Sequence, residues 1–182
     1  MVLKAARRYA NAFLHFAIEK DLLEEILEDV ESIHQTLENS RDLKLFLKSP
    51  IIKPEEKRKA LESIFSESVQ PITMQFLNLI IRKGRQKIID QIMKGFIDLY
   101  KVHMGIIDIY ISSARELPED LRTKLIAALE ISTDKKVDPD FISDEDLMGG
   151  IAVRIHDTVI DGTVKNKINR LRSLFKEAAL NH

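Results

Sequence analysis

The sequence predicts a mainly α-helical protein, with an N-terminal six-helix bundle over residues 1–105 and a small α+β C-terminal domain over residues 106–182. Two patterns predict this fold class. Up to Met104, apolar residues recur almost continuously at steps of three and four, which is the spacing of one face of an α-helix. After Gly105, apolar and polar residues alternate, which is the spacing of a half-buried β-strand.

The first three helices are predicted from their apolar stripes. These stripes run through residues 6–17 and 23–37, and a short third helix fits residues 42–48. The third helix ends before Pro50, because the residue before a proline disfavours the α-helical region. The second helix has an acidic opposite face, which we expect to face water and which consists of Glu24, Glu25, Glu28, Asp29 and Glu31.

The next three helices are delimited by proline and glycine. Pro54 and Pro71 suit the first turns of the fourth and fifth helices, where the N–H group that proline lacks is not needed. Gly84 suits the end of the fifth helix. The sixth helix has apolar residues at helical spacing over residues 88–100 and ends before Gly105.

The second half of the chain predicts strands and two helices. Residues 107–111 predict one strand, residues 135–142 a second short strand, and residues 151–160 a hairpin. Pro118 opens a helix between the first two strands. A last helix over residues 164–180 is expected to bury Val164, Ile168, Leu171, Leu174 and Phe175.

The composition excludes several classes of protein. No cysteine occurs in the 182 residues, which rules out disulfides, thiolate metal ligands and a cysteine nucleophile. The formal net charge of −1, the absence of tryptophan and the 6% aromatic content argue against a nucleic-acid-binding surface. No run approaches the roughly 20 apolar residues that span a bilayer, so the polypeptide is expected to be soluble on its own.

A search for catalytic motifs finds neither the phosphate loop G-x-x-x-x-G-K-[ST] nor the nucleophile elbow G-x-S-x-G. No two of the five histidines have the i, i+4 spacing that places two ligands on one helix face. His156-Asp157 could bind a metal, but it fits a polar strand end before a turn more simply. Acidic residues within 138–146 lack the spacing of a calcium loop and fit a solvated loop. We therefore predict no catalytic residue, no metal and no cofactor.

Two further features concern packing. Glycine at a strand entry, as in Gly149-Gly150, either adopts positive φ or lets another backbone approach closely. The first helix combines Tyr9, Phe13 and Phe16 with several alanines. Small residues let a second helix pack closely, so this stripe fits either the core of the bundle or an interface with a partner helix.

Four segments together carry a family resemblance: ARRYANAF at 6–13, FLKSP at 46–50 with the stretch 57–61 after it, FLNLIIRKGR at 76–85, and DLMGGIAVRIHDTVIDGTVKNKINRL at 146–171. They resemble the δ subunit of bacterial F-type ATP synthase, a family related to the mitochondrial oligomycin-sensitivity-conferring protein. The order and spacing of the segments extend the resemblance over nearly the whole chain. Thr163 stands where this family usually has serine, and either hydroxyl can cap a helix.

The resemblance implies a non-catalytic connector in the peripheral stalk, at the cytoplasmic face of the bacterial membrane, which joins the catalytic head to the membrane sector and resists rotor torque. It implies that the N-terminal bundle binds N-terminal segments of the α subunits in a groove between its first and fifth helices. The matching positions for that contact are Tyr9, Ala12, Phe13, Phe76, Leu79 and Lys83. It also implies that the C-terminal domain binds the b subunit, through Gly149, Gly150, Ile151, Val153 and Leu171. Membrane association is then indirect, through these partners.

Two other functions remain open from the residues alone. A free-standing helical adaptor that binds some other amphipathic helix fits the first half equally well, but it does not account for the C-terminal segment. A small metal hydrolase built on His156-Asp157 would require a bound metal in the purified protein.

Overall fold

The structure is a computed structural model that describes residues 4–155 and 157–180, with side chains described as far as residue 173. The chain divides into two compact units, Met1–His103 and Met104–His182, called here the N-terminal unit and the C-terminal unit. The protein is mainly helical, with a small four-stranded sheet in the C-terminal unit. The mainly helical fold class is therefore confirmed.

The N-terminal unit is built from helices that begin and end close to the predicted positions. Pro54 and Pro71 lie in first turns, and Gly84 follows a helix end with a φ of +68°. Ser40 caps the third helix, where its Oγ accepts a hydrogen bond from the backbone N–H of Leu43 at 3.2 Å. The α-helices are α1 (Lys4–Glu19), α2 (Leu23–Asn39), α3 (Arg41–Lys48), α4 (Pro54–Phe65), α5 (Pro71–Arg82) and α6 (Ile89–Met104).

The core of the N-terminal unit is formed by the apolar stripes of its longer helices. Aromatic contacts join three of these helices, because Phe13 of α1 contacts both Phe76 of α5 and Phe96 of α6. Burial of these stripes is the main favourable term for folding. Fully buried apolar members include Ala6, Ala10, Ala17, Ile26, Val30, Leu77, Ile80, Ile92, Met93 and Phe96.

One residue of the acidic face of α2 does not face water, contrary to the prediction. Asp29 is only 6% exposed, and its Oδ2 accepts hydrogen bonds from the Thr73 hydroxyl at 2.5 Å and the Gln70 N–H at 2.9 Å. Burial of a carboxylate is tolerated when hydrogen bonds compensate for lost hydration. Asp29 thereby ties α2 to the N-terminal end of α5. The glutamates of that face are exposed, as predicted.

The C-terminal unit contains β1 (Ile106–Ser113), α7 (Glu119–Thr133), β2 (Lys136–Ser143), β3 (Ile151–Ile155), β4 (Thr158–Asp161) and α8 (Val164–Leu180). The strand order is β2-β1-β3-β4, with β1 and β2 parallel and the other pairs antiparallel. Helix α7 is the crossover that a parallel pair requires. The sheet core consists of Ile107, Ile109, Ile111, Leu129 and Val153.

The predicted burial along α8 is wrong for two of the three residues that can be judged. Val164 is 39% exposed and Leu171 is 54% exposed, whereas Ile168 is half-buried. Leu174 and Phe175 lie beyond the last side chain that the structure describes. Helical periodicity predicts which residues share a face, but it does not say whether that face is covered.

Candidate partner-binding site

An apolar groove lies between α1 and α5 in the N-terminal unit. Its volume is about 350 Å³. On both α1 and α5 the lining residues recur at steps of three and four positions, so the groove follows one face of each helix. The lining residues are Ala12, Phe13, Phe16, Ile72, Gln75, Phe76, Leu79 and Arg82.

Stacked aromatic rings form the floor of the groove. The rings of Phe13 and Phe76 lie 3.9 Å apart between centroids with an interplanar angle of 7°, and the Phe13 ring contacts that of Phe96 at 5.5 Å. Phe13 is 3% exposed and Phe76 is 9% exposed. Both rings are therefore largely covered and form the base of the groove. Most of the surface that a partner could contact comes from more exposed residues such as Leu79, which is 37% exposed.

A second depression continues the groove towards the start of α1. It has a volume of about 340 Å³ and is lined by Ala5, Arg8, Tyr9, Ala12 and Arg85. Ala12 lines both depressions, and it is exposed. The two depressions therefore adjoin along α1, and together they are called the groove below.

The structure thus brings together five of the six residues predicted for the N-terminal contact. Tyr9, Ala12, Phe13, Phe76 and Leu79 all line the groove or its continuation. The sixth, Lys83, caps the C-terminal end of α5 and does not line either depression. The neighbouring Arg82 lines the groove.

The residues predicted for the C-terminal contact are spread over different environments. Val153 is 5% exposed and belongs to the sheet core, and β3 pairs with a strand on each side. Neither its side chain nor the backbone of β3 is free to contact a partner in this arrangement. Leu171 is exposed on α8.

The two predicted glycines pack against the turn before α8. Gly150 has a φ of +78°, and a Cβ there would lie 2.6 Å from the carbonyl oxygen of Gly162. The Gly149 carbonyl accepts a hydrogen bond from the Val164 N–H at 2.9 Å, and the Ile151 carbonyl accepts one from the Gly162 N–H at 3.0 Å. Both physical reasons for a glycine, positive φ and close backbone approach, therefore apply at Gly150.

Thr163 starts α8 as the sequence predicts. It is buried, and its Oγ1 accepts a hydrogen bond from the Asn166 N–H at 3.2 Å. The Thr163 N–H donates to Asp161 Oδ1 at 2.9 Å. Hydrogen bonds from the Thr163 side chain and backbone lower the pKa of Asp161 below its ordinary value.

A depression of about 380 Å³ opens beside these glycines within the C-terminal unit. Met148 lies on its rim with a positive φ of 62° and is 70% exposed, which is uncommon for a large apolar side chain. The residues that line this depression are Ser113, Ala114, Arg115, Glu116, Leu117, Met148, Gly149, Gly150 and Ile151.

The described residues contain one group with metal-ligand geometry, formed by His34, Glu38 and Asp90. Lys44 donates a hydrogen bond to Glu38, and its Nζ lies 3.8 Å from Asp90 Oδ2. The ammonium group already supplies the positive charge that a metal would bring to these carboxylates. The predicted candidate His156-Asp157 cannot be judged as a pair, because His156 lies outside the described residues.

Comparison with known proteins decides the family. The sequence matches the family model for the ATP synthase delta (OSCP) subunit over residues 5–175. This chain belongs to that family. The subunit delta of Chlorobaculum tepidum is 37% identical over 168 residues, which are 92% of this chain and 93% of that protein. The subunit delta of Symbiobacterium thermophilum is 32% identical over 176 residues, covering 97% of this chain and 95% of that protein.

The fold of this delta/OSCP family member is also similar to that of a chain in the cryo-EM structure of the Toxoplasma gondii mitochondrial ATP synthase hexamer. The TM-score is 0.73 over 95% of this chain and 98% of that chain, at 19% identity, so the similarity concerns the fold. The chain is a peripheral-stalk component of F-type ATP synthase and a structural, non-catalytic subunit. Among the described helices, none is both long and apolar enough to cross a membrane.

Sequence reasoning missed several groove residues of this delta subunit. Ile72, Gln75 and Arg82 were not predicted, although they follow the same helical spacing as Phe76 and Leu79. Extending that spacing by one turn in each direction would have found them. The helical spacing places Phe16 on the apolar stripe of α1, but no local signal distinguishes a stripe residue that is covered from one that lines a groove.

Proposed function

We propose that this delta subunit connects the catalytic head of the ATP synthase to its membrane sector and resists rotor torque during proton- or sodium-driven ATP synthesis. In this proposal α1–α6 act as one six-helix bundle that binds the α subunits, and the C-terminal unit binds the b subunit. The subunit acts at the cytoplasmic face of the bacterial membrane, which it reaches only through these partners. The observation that carries the proposal is the apolar groove between α1 and α5.

The dimensions of the groove suit an amphipathic helix. Its lining residues on α1 extend from Ala5 to Phe16, which is about 16 Å along the helix axis, or roughly three turns. A helix that binds in such a groove places residues at steps of three and four into it. The exposed apolar residue Leu79 and the small Ala12 allow this close approach.

The aromatic floor makes the groove preorganised. Phe13 and Phe76 are already stacked and buried, so binding does not require these side chains to become ordered. Association loses less free energy when the contact residues have little rotamer freedom left to lose. Such a groove supports a durable non-covalent attachment to the head.

We place the b-subunit contact of the C-terminal unit on its exposed apolar residues. Met148 lies at the rim of the depression beside Gly149 and Gly150, and Leu171 lies on the open face of α8. Ile151 also lines the depression. Val153 contributes indirectly, because its burial fixes β3 behind these residues.

Isothermal titration calorimetry of the full chain with a synthetic peptide of the α-subunit N-terminal helix tests the groove. Leu79→Asp is expected to weaken binding at least tenfold, because it removes an apolar contact and places a charge on the apolar surface that the bound helix covers. Tyr9→Ala is expected to weaken binding by at least ~1 kcal/mol, as an interface anchor does.

Ile64→Asp is the matched control, because Ile64 is a similarly exposed apolar residue of α4 that lies outside the groove. It should bind the peptide as the unmodified chain does. Absence of binding by the unmodified chain, or equal binding by Leu79→Asp and Ile64→Asp, would reject the groove as the α-subunit site.

A further inference from the structure

One end of the groove is lined by arginine side chains. Phe13 in the middle of α1 stacks on Phe76 in the middle of α5, whereas Arg85, just after α5, lines the same depression as Arg8 near the start of α1. The two helices therefore run antiparallel, and the C-terminal end of α5 meets the N-terminal end of α1. Arg82 lines the groove on the last turn of α5. We call Arg8, Arg82 and Arg85 the arginine end of the groove.

Among the described residues, these three arginines lack the carboxylate partners that Arg58 and Arg122 have. Arg58 contacts Glu55 and Glu62, and Arg122 contacts Glu116. Within the part of the chain that the structure describes, none of the three groove arginines has a carboxylate partner, and no acidic residue lines either depression. All three are exposed and available to a ligand.

The opposite end of the groove has a different character. Its lining residues are Phe16, Ile72 and Gln75, which are uncharged. Lys20 is the nearby cation there, and its Nζ lies 5.9 Å from the centroid of the Phe16 ring. The groove is therefore asymmetric along its length, with guanidinium groups in its wall at one end only.

We infer that the helix which occupies the groove carries carboxylates on its flanks at the end beside Arg8, Arg82 and Arg85, and that these charges fix the direction in which it lies. This inference rests on the proposed function, because it specifies the chemistry of the α-subunit segment at the same site. An uncharged flank of the bound helix would displace water from the guanidinium groups without offering them hydrogen-bond acceptors of equal strength. Carboxylates, in contrast, form paired, charge-assisted hydrogen bonds with guanidinium groups. The reversed helix would leave its carboxylates beside the uncharged end.

The test compares two triple variants of the full chain in calorimetry with the α-subunit N-terminal peptide, at low and at high salt. Arg8→Gln/Arg82→Gln/Arg85→Gln is expected to weaken binding by about tenfold at low salt and to reduce the salt dependence. The control Arg41→Gln/Lys48→Gln/Lys59→Gln removes the same charge from exposed positions of α3 and α4. It should change affinity less than twofold.

Peptide variants test the direction. Replacing the carboxylates of one half of the peptide by amides should weaken binding to the unmodified chain, and the same change in the other half should not. Neither replacement should matter for the arginine triple variant, because the partners are already gone.

The outcomes separate this inference from the proposed function. If Leu79→Asp abolishes binding but the arginine triple variant binds like its control, the groove is the site and the charge inference is wrong. An equal effect of amides in both halves would also overturn it. If the unmodified chain does not bind the peptide, both proposals fall.

Discussion

Lys57 shows how a single side chain can complete a helix end. It is fully buried, and its Nζ donates hydrogen bonds to the carbonyl oxygens of Leu47 at 2.8 Å and Ser49 at 2.5 Å. These carbonyls lie at the C-terminal end of α3, where the last turn lacks intrahelical donors and the helix dipole attracts a cation. Burial lowers the pKa of Lys57 below its ordinary value of 10.5.

Replacing Lys57 by methionine is expected to destabilise the protein by about 1–3 kcal/mol, because two carbonyl groups lose their donor while the packing is kept. Lys59→Met, at an exposed position of the same helix, should have little effect. Urea denaturation of both variants measures the difference. Equal stability of the two variants would contradict a role of Lys57 in closing α3.

The pKa shift adds a pH dependence with a defined sign. Because the folded protein binds the Lys57 proton less tightly than the unfolded chain, the unfolded chain holds more protons between the lowered pKa and 10.5. The unmodified protein should therefore gain stability relative to Lys57→Met as the pH rises through that window. Denaturation at several alkaline pH values checks this sign.

The buried polar residues mark the limit of sequence reasoning at this scale. Asp29 fits the acidic face of α2 by spacing, yet it bonds to Thr73, which lies 44 positions away. Helical periodicity identifies faces within one element and contains no information on a partner from another element. Lys57 stands out in the sequence only as part of a family segment, and its buried position follows from a contact with α3.

At the scale of elements, local signals determined the boundaries well. Proline in first turns, glycine after α5 and alternation in the strands depend on backbone geometry within a few residues, so they can be read from the sequence. Whether one face of an element is covered by another element cannot be read from the sequence. The apolar stripe of α1 provides both buried core residues and the exposed Ala12, whereas α8 exposes residues that its stripe predicted to be buried.

The start of β3 packs against the turn before α8, and this close packing depends on the absence of a side chain at Gly150. Gly150→Ala is expected to destabilise the C-terminal unit by roughly 2–4 kcal/mol, because a Cβ would clash with the Gly162 carbonyl and the φ is positive. Hydrogen exchange of the β3 amides measures this effect.

Gly105→Ala is the matched control for this substitution. Gly105 has a φ of +67°, but no atom lies within 4 Å of its ideal Cβ. Gly105→Ala should therefore lower the free energy of unfolding only through backbone strain, by about 1–2 kcal/mol. If the two variants lower protection of β3 equally, close backbone approach does not determine the stability of this junction.

At the scale of the whole molecule, the proposed function assigns one partner to each unit. The full chain should then bind the α-subunit peptide and a soluble fragment of the b subunit in one ternary complex. Leu79→Asp should lose the peptide and retain the b fragment, whereas Leu171→Asp should do the reverse, because the two residues lie in different compact units. Sedimentation velocity with both ligands distinguishes these species.

A variant that loses both ligands while remaining folded by circular dichroism would contradict the assignment of one partner to each unit. The family resemblance implies two partners, and the structure supplies the residues by which the two contacts can be tested separately. The expected separation of effects follows from placing the two contacts on the groove of the N-terminal unit and on the exposed apolar residues of the C-terminal unit.

The order of strands in the sheet has a consequence for self-association. Within residues 4–155 and 157–180, the strands β2 and β4 have a neighbour on one side only, so they are the positions where a second copy could pair edge to edge. β4 has only four residues, and β2 combines Pro139, which has no N–H to donate, with the exposed charges of Lys136, Asp138 and Asp140. Short, charged and proline-containing edges disfavour aggregation of the subunit before it binds its partners. The acidic residues of β2, which lack the spacing of a calcium loop, thus contribute to keeping copies of this chain apart.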